Sequence, residues 1–137
     1  MKARIYNEGQ LIKERLAEIS DYIYNNPELG NEEYKAVEAL TTFLKEHDFK
    51  IEAPIADMAT AFKATFDSGK PGMTIGYLCE YDALPKIGHG CGHNMIGAMS
   101  AGAGVVLSKV LHEIGGKVIV YGTPAEETNG GKVILAE

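Results

Sequence analysis

Apolar residues recur at helical spacing twice in the first third of the chain. The positions that carry this spacing are Ile12, Leu16, Ile19 and Ile23, followed by Val37, Leu40 and Leu44. They predict amphipathic helices over about residues 8–24 and 32–47. Pro27 lies between them, and because the residue before a proline avoids the α conformation, the first helix is expected to end there.

Shorter apolar runs, separated by turn residues, predict strands in the rest of the chain. The candidate strands are residues 50–55, 61–66, 73–78 and 117–121. Residues 95–114 form a segment rich in small residues that predicts a helix, and residues 131–137 begin another. The unit of strand, helix and strand over residues 73–121 favours an α/β domain in which helices pack on a mostly parallel sheet.

Composition narrows the classes of function. The chain has 137 residues, which suits one domain, and a net charge of −6, which disfavours a nucleic-acid partner because binding the phosphate backbone needs clustered Lys and Arg. It contains no apolar run long enough for a bilayer and no signal-like N-terminus, so the expectation is a cytoplasmic protein with no membrane partner. Two cysteines are too few for a disulfide framework.

Side chains able to bind metal or transfer protons concentrate in two loops, each following a predicted strand. The first loop carries Glu80, Asp82, His89, Cys91 and His93, and the second carries Glu126 and Glu127. In open α/β sheets, ligands bind at the carboxyl ends of the strands. If the two strands are close neighbours, we expect these side chains to converge.

Cys91 and His93 are separated by a single glycine. In an extended segment, residues two apart point the same way, and Gly92 has no Cβ to obstruct a close approach of backbone and metal. Thiolate and imidazole suit zinc and neighbouring transition metals. The alternative is a buried thiol beside a structural histidine.

The adjacent carboxylates Glu126 and Glu127 follow a strand and Pro124. Neighbouring side chains on an extended stretch diverge, so one can bind metal while the other faces the attacking water as a general base. The alternative is a pair of exposed surface glutamates.

Two acidic residues of the first loop have more than one interpretation. Asp82 could orient a ligand histidine, or it could be a turn or helix-cap aspartate. Glu80 could be a further ligand, a substrate contact or a salt-bridge partner. Gly130-Gly131-Lys132 lacks the rest of a phosphate-binding P-loop.

Four segments of the chain resemble motifs of the M20 metallopeptidase family, in the family's order. They are Asn26–Glu33 ("PELG-x-E-E"), Glu80–Pro85 ("D-A-L-P"), His89–Asn94 ("H-x-C-G-H-[DN]") and Thr123–Glu127 ("P-A-E-E"). The branch they resemble contains aminobenzoyl-glutamate hydrolases, N-acyl amino acid hydrolases and related dipeptidases. The resemblance therefore implies hydrolysis of an amide bond in an N-acyl amino acid or small dipeptide.

The same resemblance gives each motif residue a role. It implies two divalent metal ions, zinc or manganese, with Cys91, His93 and Glu127 matching metal ligands. Glu126 matches the general base, and Asp82 matches the aspartate that supports the first ligand. Glu80 stands near the place where other branches of the family carry a ligand histidine.

Other parts of the family pattern lie beyond this sequence. The remaining ligands, among them two histidines, and the dimerisation domain follow further along the chain in family members. We therefore expect residues 1–137 to be the first part of a catalytic domain, truncated within a helix, and the full-length protein to be a homo-oligomer. The alternative for the chain itself is a catalytically silent fragment or a binding module with an incomplete metal site.

Overall fold

The computed structural model describes residues 1–136, which form a four-stranded sheet and five helices. The helices are α1 (Lys2–Asn25), α2 (Tyr34–Glu46), α3 (His93–Ser108), α4 (Leu111–Ile114) and α5 (Gly131–Ala136). The strands are β1 (Lys50–Glu52), β2 (Phe62–Asp67), β3 (Thr74–Cys79) and β4 (Lys117–Gly122). The predicted α/β class is confirmed, and so is the predicted order of elements, apart from the additional short helix α4.

The sheet is mixed, so the expectation of a mostly parallel sheet was wrong for the described residues. Its strand order is β1-β2-β4-β3; β3 and β4 are parallel, whereas β2 is antiparallel to both β4 and β1. The turn between Asp67 and Thr74 reverses the chain, so β2 and β3 run in opposite directions. Because β4 lies between them and runs with β3, it must oppose β2. The predicted parallel unit over residues 73–121 is confirmed.

Helix α3 packs directly against β4 and the first acidic loop through glycines on its inner side. A Cβ on Gly97 would stand 2.8 Å from the carbonyl oxygen of Glu80, and a Cβ on Gly104 would stand 2.5 Å from a methyl group of Val120. Such distances exclude a larger side chain without movement of the helix. The small residues of this segment therefore set the distance between helix and sheet.

The hydrophobic core lies between the sheet and the helices α1, α2 and α3. Its fully or almost fully buried members include Ile23, Leu40, Phe43, Leu44, Phe62, Tyr81, Val105, Val118 and Val120. Ile19 and Ile23 of the predicted stripe are buried on α1, whereas Ile12 and Leu16 are partly buried at its edge. These contacts fix the helices on one face of β3 and β4, whose ends carry the two acidic loops.

Helix boundaries differ from the prediction in three places. Helix α1 begins at Lys2, and the segment predicted as one helix over residues 95–114 begins at His93 and is divided after Ser108 into α3 and α4. The helix predicted over residues 131–137 was expected to include Glu137, which lies outside the described residues. Within residues 1–136, no helix combines the length and apolar character needed to cross a membrane.

Candidate metal centre

The two acidic loops start side by side at one edge of the sheet. The parallel register of β3 and β4 pairs Cys79 with Gly122, the last residues of the two strands. The N–H of Thr123 donates to the carbonyl of Cys79 at 2.9 Å, which extends the contact one residue into the loops. The predicted convergence of the loops is therefore present, and its cause is the register of one parallel strand pair.

Three predicted ligands come together in the first of two side-chain groups. One donor atom each from Cys91, His93 and Glu127 lies within 4.8 Å of the other two. Cys91 is partly buried, His93 is buried and Glu127 is exposed, so the group opens to solvent on the side of the glutamate. Sulfur, imidazole nitrogen and carboxylate oxygen form a donor set that suits zinc and related divalent ions.

The backbone that brings Cys91 and His93 together is a left-handed turn. Gly92 has φ of +84° and directly precedes α3, of which His93 is the first residue. The expectation of an extended segment here was therefore wrong. Glycine is favoured at this position because it adopts positive φ at little cost, and this conformation joins the loop to the helix.

Asp82 connects His93 to the second acidic loop. Its carboxylate is fully buried, and its Oδ1 lies 2.8 Å from Nδ1 of His93. The carbonyl oxygen of Asp82 lies 3.1 Å from the same nitrogen. Because both oxygens are acceptors, the contacts favour a proton on Nδ1, which leaves Nε2 available to a metal ion. The second oxygen, Oδ2, accepts a hydrogen bond of 3.0 Å from the N–H of Glu127.

The second group of side chains faces Nε2 of His93. This nitrogen lies 3.2 Å from Oε2 of Glu80 and 3.8 Å from Oε2 of Glu126. With the proton on Nδ1, the lone pair of Nε2 faces two carboxylates, a donor set that could hold a divalent cation. Donor atoms of Glu80, His93 and Glu126 all lie within 4.8 Å of one another. The two groups share His93, whose one free nitrogen can serve only one cation, so the groups overlap.

Lys132 also reaches this centre, which sequence reasoning missed. Its Nζ lies 2.5 Å from Oε1 of Glu80 and 3.5 Å from Oε1 of Glu126. The hydrogen bond to Glu80 raises the pKa of the lysine. The only signal in the sequence was the incomplete Gly130-Gly131-Lys132 pattern, which gave no reason to place this side chain near Glu80.

Two further residues of the first loop are perturbed by burial. Burial raises the pKa of the Cys91 thiol, whose sulfur lies 3.6 Å from the carbonyl oxygen of Asp82. Burial and the neighbouring His93 lower the pKa of His89. Within residues 1–136, neither ring nitrogen of His89 has a hydrogen-bond partner, and His89 belongs to neither ligand group.

Comparison with known proteins identifies curated relatives over most of the chain, although no family model matches it. The Xaa-Arg dipeptidase of Mus musculus is 41% identical over 141 residues, covering 90% of this chain and 32% of the relative. A subunit of the p-aminobenzoyl-glutamate hydrolase of Escherichia coli K12 is 33% identical over 142 residues, covering 90% of this chain and 29% of the relative. The chain thus spans about a third of the length of these relatives.

A solved structure shows the same fold. It is that of a Bacillus subtilis protein described as a dinuclear metal-binding peptidase from the M20 family, with a TM-score of 0.80 and 24% identity. The match covers 93% of this chain and 39% of the other. The helices and the mixed sheet described above are therefore part of a larger fold in that protein.

Proposed function

We propose that this chain belongs to the M20 family of metallopeptidases and amidohydrolases and supplies part of the active site of a metal-dependent hydrolase of amide bonds. It spans the N-terminal region of its relatives. The observation that carries the proposal is the convergence of Cys91, His93 and Glu127 within 4.8 Å. The names of the two curated relatives support an N-acyl amino acid or a small dipeptide as the substrate.

The residues of the centre divide into those that hold a metal ion and those that support them. Cys91, His93 and Glu127 would hold it, and Asp82 would fix the tautomer of His93 and the backbone of Glu127. A bound divalent ion polarises the amide carbonyl and acidifies water. We propose zinc or manganese, with two ions in a complete site, because a thiolate and an imidazole stand beside several carboxylates.

Glu126 is proposed as the general base. Its carboxylate is half-buried beside His93 and next in sequence to the ligand Glu127. From this position it would accept a proton from the attacking water and pass it to the leaving amine nitrogen. Lys132 lies 3.5 Å from the same carboxylate and limits where that side chain can point.

Glu126→Gln tests this assignment in a full-length protein that contains these residues. We expect kcat to fall by about 10²- to 10⁴-fold with the metal content unchanged, because a glutamine cannot accept the proton. Glu113→Gln is the matched control, since Glu113 pairs with Arg4 outside the candidate centre. Unchanged turnover in Glu126→Gln with metal retained would remove Glu126 from this role.

The 137-residue chain by itself is proposed to bind metal weakly or not at all, and to have no turnover. Each of its ligand groups offers three side chains, and both depend on His93. Its own role would then be that of a catalytically silent fragment or a binding module. Elemental analysis after gel filtration tests this, and two tightly bound zinc ions per chain would contradict it.

Compartment and assembly are also proposals. Cys79 and Cys91 are both free thiols, which supports a reducing compartment such as the cytoplasm. A homo-oligomer is proposed for a full-length protein from the family resemblance. Light scattering after size-exclusion chromatography of such a protein tests this, and a monomer would contradict it.

A further inference from the structure

The motif loop, residues Glu28–Glu33, contacts both loops of the candidate centre without contributing to either ligand group. Its Glu33 is fully buried and lies immediately before α2. No Lys, Arg or His forms an ion pair with Glu33 in the part of the chain that the structure describes. A buried carboxylate without a cation is costly unless it is well hydrogen-bonded, so its contacts require an explanation.

The carboxylate of Glu33 holds the backbone just before Glu126. Its Oε1 accepts a hydrogen bond of 2.8 Å from the N–H of Ala125, which is itself fully buried. Its Oε2 accepts a hydrogen bond of 2.6 Å from the hydroxyl of Thr60. Ala125 has φ of +57°, a left-handed conformation that a residue with a Cβ adopts only when its surroundings enforce it.

The second contact of the motif loop with this turn is steric. A Cβ on Gly30 would stand 2.9 Å from Cα of Ala125 and 2.7 Å from the hydroxyl oxygen of Thr128. The backbone of the motif loop therefore lies directly against the turn of residues 125–128. A side chain larger than hydrogen at position 30 would displace that turn.

The motif loop also holds the first acidic loop. The N–H of Ala83 donates to the carbonyl of Glu28 at 2.8 Å, and Leu29 forms a parallel bridge with Ala83. Asp82, the residue before Ala83, accepts a hydrogen bond from the N–H of Glu127. Two buried carboxylates, those of Glu33 and Asp82, thus hold the amides of Ala125 and Glu127, on either side of Glu126.

We infer that Glu33 is a positioning residue, which fixes the left-handed turn at Ala125 and thereby places the side chains of Glu126 and Glu127 beside His93. This inference rests on the proposed roles of those two glutamates in metal binding and proton transfer. It gives the Glu33 position of the "PELG-x-E-E" segment a function that the ligand set leaves unexplained.

Cobalt binding and amide exchange in the 137-residue chain test this inference. In Glu33→Leu we expect Co²⁺ affinity to fall by about 10- to 100-fold, the usual effect of removing a group that holds a metal ligand in place. Thr60→Val is the matched control, since it removes the other hydrogen bond of Glu33 and leaves the one to Ala125. We expect it to lower stability with little change in Co²⁺ affinity, and Glu33→Gln, which keeps an acceptor oxygen, to restore most of the binding.

Amide hydrogen exchange in the metal-free chain separates this inference from the proposed function. We expect the Ala125 amide to exchange faster in Glu33→Leu than in Thr60→Val, when each is normalised to the Val120 amide of β4. If the wild-type chain binds no Co²⁺, this chain does not bind metal by itself and the Co²⁺ affinities cannot be compared. The exchange rate of the Ala125 amide still tests whether Glu33 positions the turn. Equal exchange of Ala125 in the two variants, or equal Co²⁺ affinity where the wild type binds, would overturn the inference.

Gly30→Ala provides an independent variant should Glu33→Leu not fold. It retains Glu33 and presses on the turn from outside through the close contact with Ala125. We expect weaker Co²⁺ binding and faster Ala125 exchange. Wild-type values for both would overturn the inference.

Discussion

The carboxylate of Asp82 accepts a hydrogen bond of 2.8 Å from Nδ1 of His93, within a site where both side chains are buried. The contact leaves Nε2 available to a metal ion and fixes the plane of the ring. The same carboxylate holds the N–H of Glu127. One aspartate therefore holds a proposed ligand from each of the two loops, and its removal should affect both residues together.

Asp82→Asn is expected to weaken metal binding by about 10- to 100-fold. An asparagine amide has one acceptor oxygen, weaker than a carboxylate oxygen, so it cannot accept hydrogen bonds from both His93 and Glu127. Isothermal titration with Co²⁺ of a full-length protein that contains these residues measures the effect. Asp67→Asn is the matched control, since Asp67 pairs with Lys117 on the surface. Equal affinities of the two variants would remove Asp82 from the supporting role.

Cys91→Ser should abolish the thiolate-to-cobalt charge-transfer absorption of the Co²⁺ complex, because Cys91 is the sulfur donor of the ligand group. Cys79→Ala is the control. Cys79 is fully buried in the core, and its thiol donates to the carbonyl of Gly97. The absorption should persist in that variant. Retention of the band in Cys91→Ser would show that another sulfur binds the cobalt and would remove Cys91 from the ligand role.

Metal affinity should increase with pH. Burial raises the pKa of the Cys91 thiol, and the proton must leave before the sulfur can bind metal. If binding releases one proton, affinity rises by about tenfold per pH unit below that pKa. Co²⁺ titrations across neutral and mildly alkaline pH measure the slope. The slope should become shallower in Cys91→Ser, and an equally steep slope there would assign the released proton to another group.

The sequence predicted much of this centre because its geometry depends on one local rule. Apolar runs located β3 and β4, and the carboxyl ends of adjacent parallel strands bring their following loops together. Asp82 and Glu127 were therefore expected in one place before their contact was known. The antiparallel pairing of β2 was not predicted, since no short-range signal shows that β4 lies between β2 and β3.

Contacts between distant segments account for what the sequence did not predict. Lys132 reaches Glu80 only because the turn at Ala125 directs α5 back toward β3, and Glu33 reaches Ala125 across 92 positions of the chain. Gly92 was interpreted as part of an extended segment, although it adopts positive φ. A glycine between two ligands fits either conformation, so the sequence alone did not distinguish them.

The stability difference between the wild type and Glu33→Gln should depend on pH. Burial raises the pKa of Glu33, so the folded state binds this proton more tightly than the unfolded state does. The stabilisation is complete below the unfolded pKa of about 4.3 and is lost as pH rises through the folded value. The free energy of unfolding of the wild type should therefore fall relative to Glu33→Gln as pH rises from mildly acidic to neutral.

Urea unfolding of both proteins at several pH values measures this difference. Asp67→Asn serves as a contrast, because its hydrogen bond with Lys117 lowers the pKa of Asp67. The difference in free energy of unfolding between Asp67→Asn and the wild type should stay constant from mildly acidic to neutral pH. A constant difference for Glu33→Gln as well would show that burial does not disfavour the charged form of Glu33.

The close approach of α3 to the first acidic loop predicts opposite effects for two glycine substitutions in helices. In Gly97→Ala the new methyl group would meet the backbone carbonyl of Glu80, which has no flexible end to move. We expect a loss of about 1–3 kcal/mol in the free energy of unfolding, as for other overpacked sites. Gly9 of α1 has no atom within 4 Å of an added Cβ, so Gly9→Ala should gain about 0.5–1 kcal/mol from helix propensity.

Urea unfolding of the two variants measures both changes, and Co²⁺ titration adds a second readout. A displaced Glu80 carbonyl would shift the side chains of Glu80 and Asp82, so Gly97→Ala should also weaken metal binding while Gly9→Ala leaves it unchanged. If Gly97→Ala is as stable as Gly9→Ala, α3 can move away from β3 at little cost. Its glycines would then not set the distance between the helix and the candidate centre.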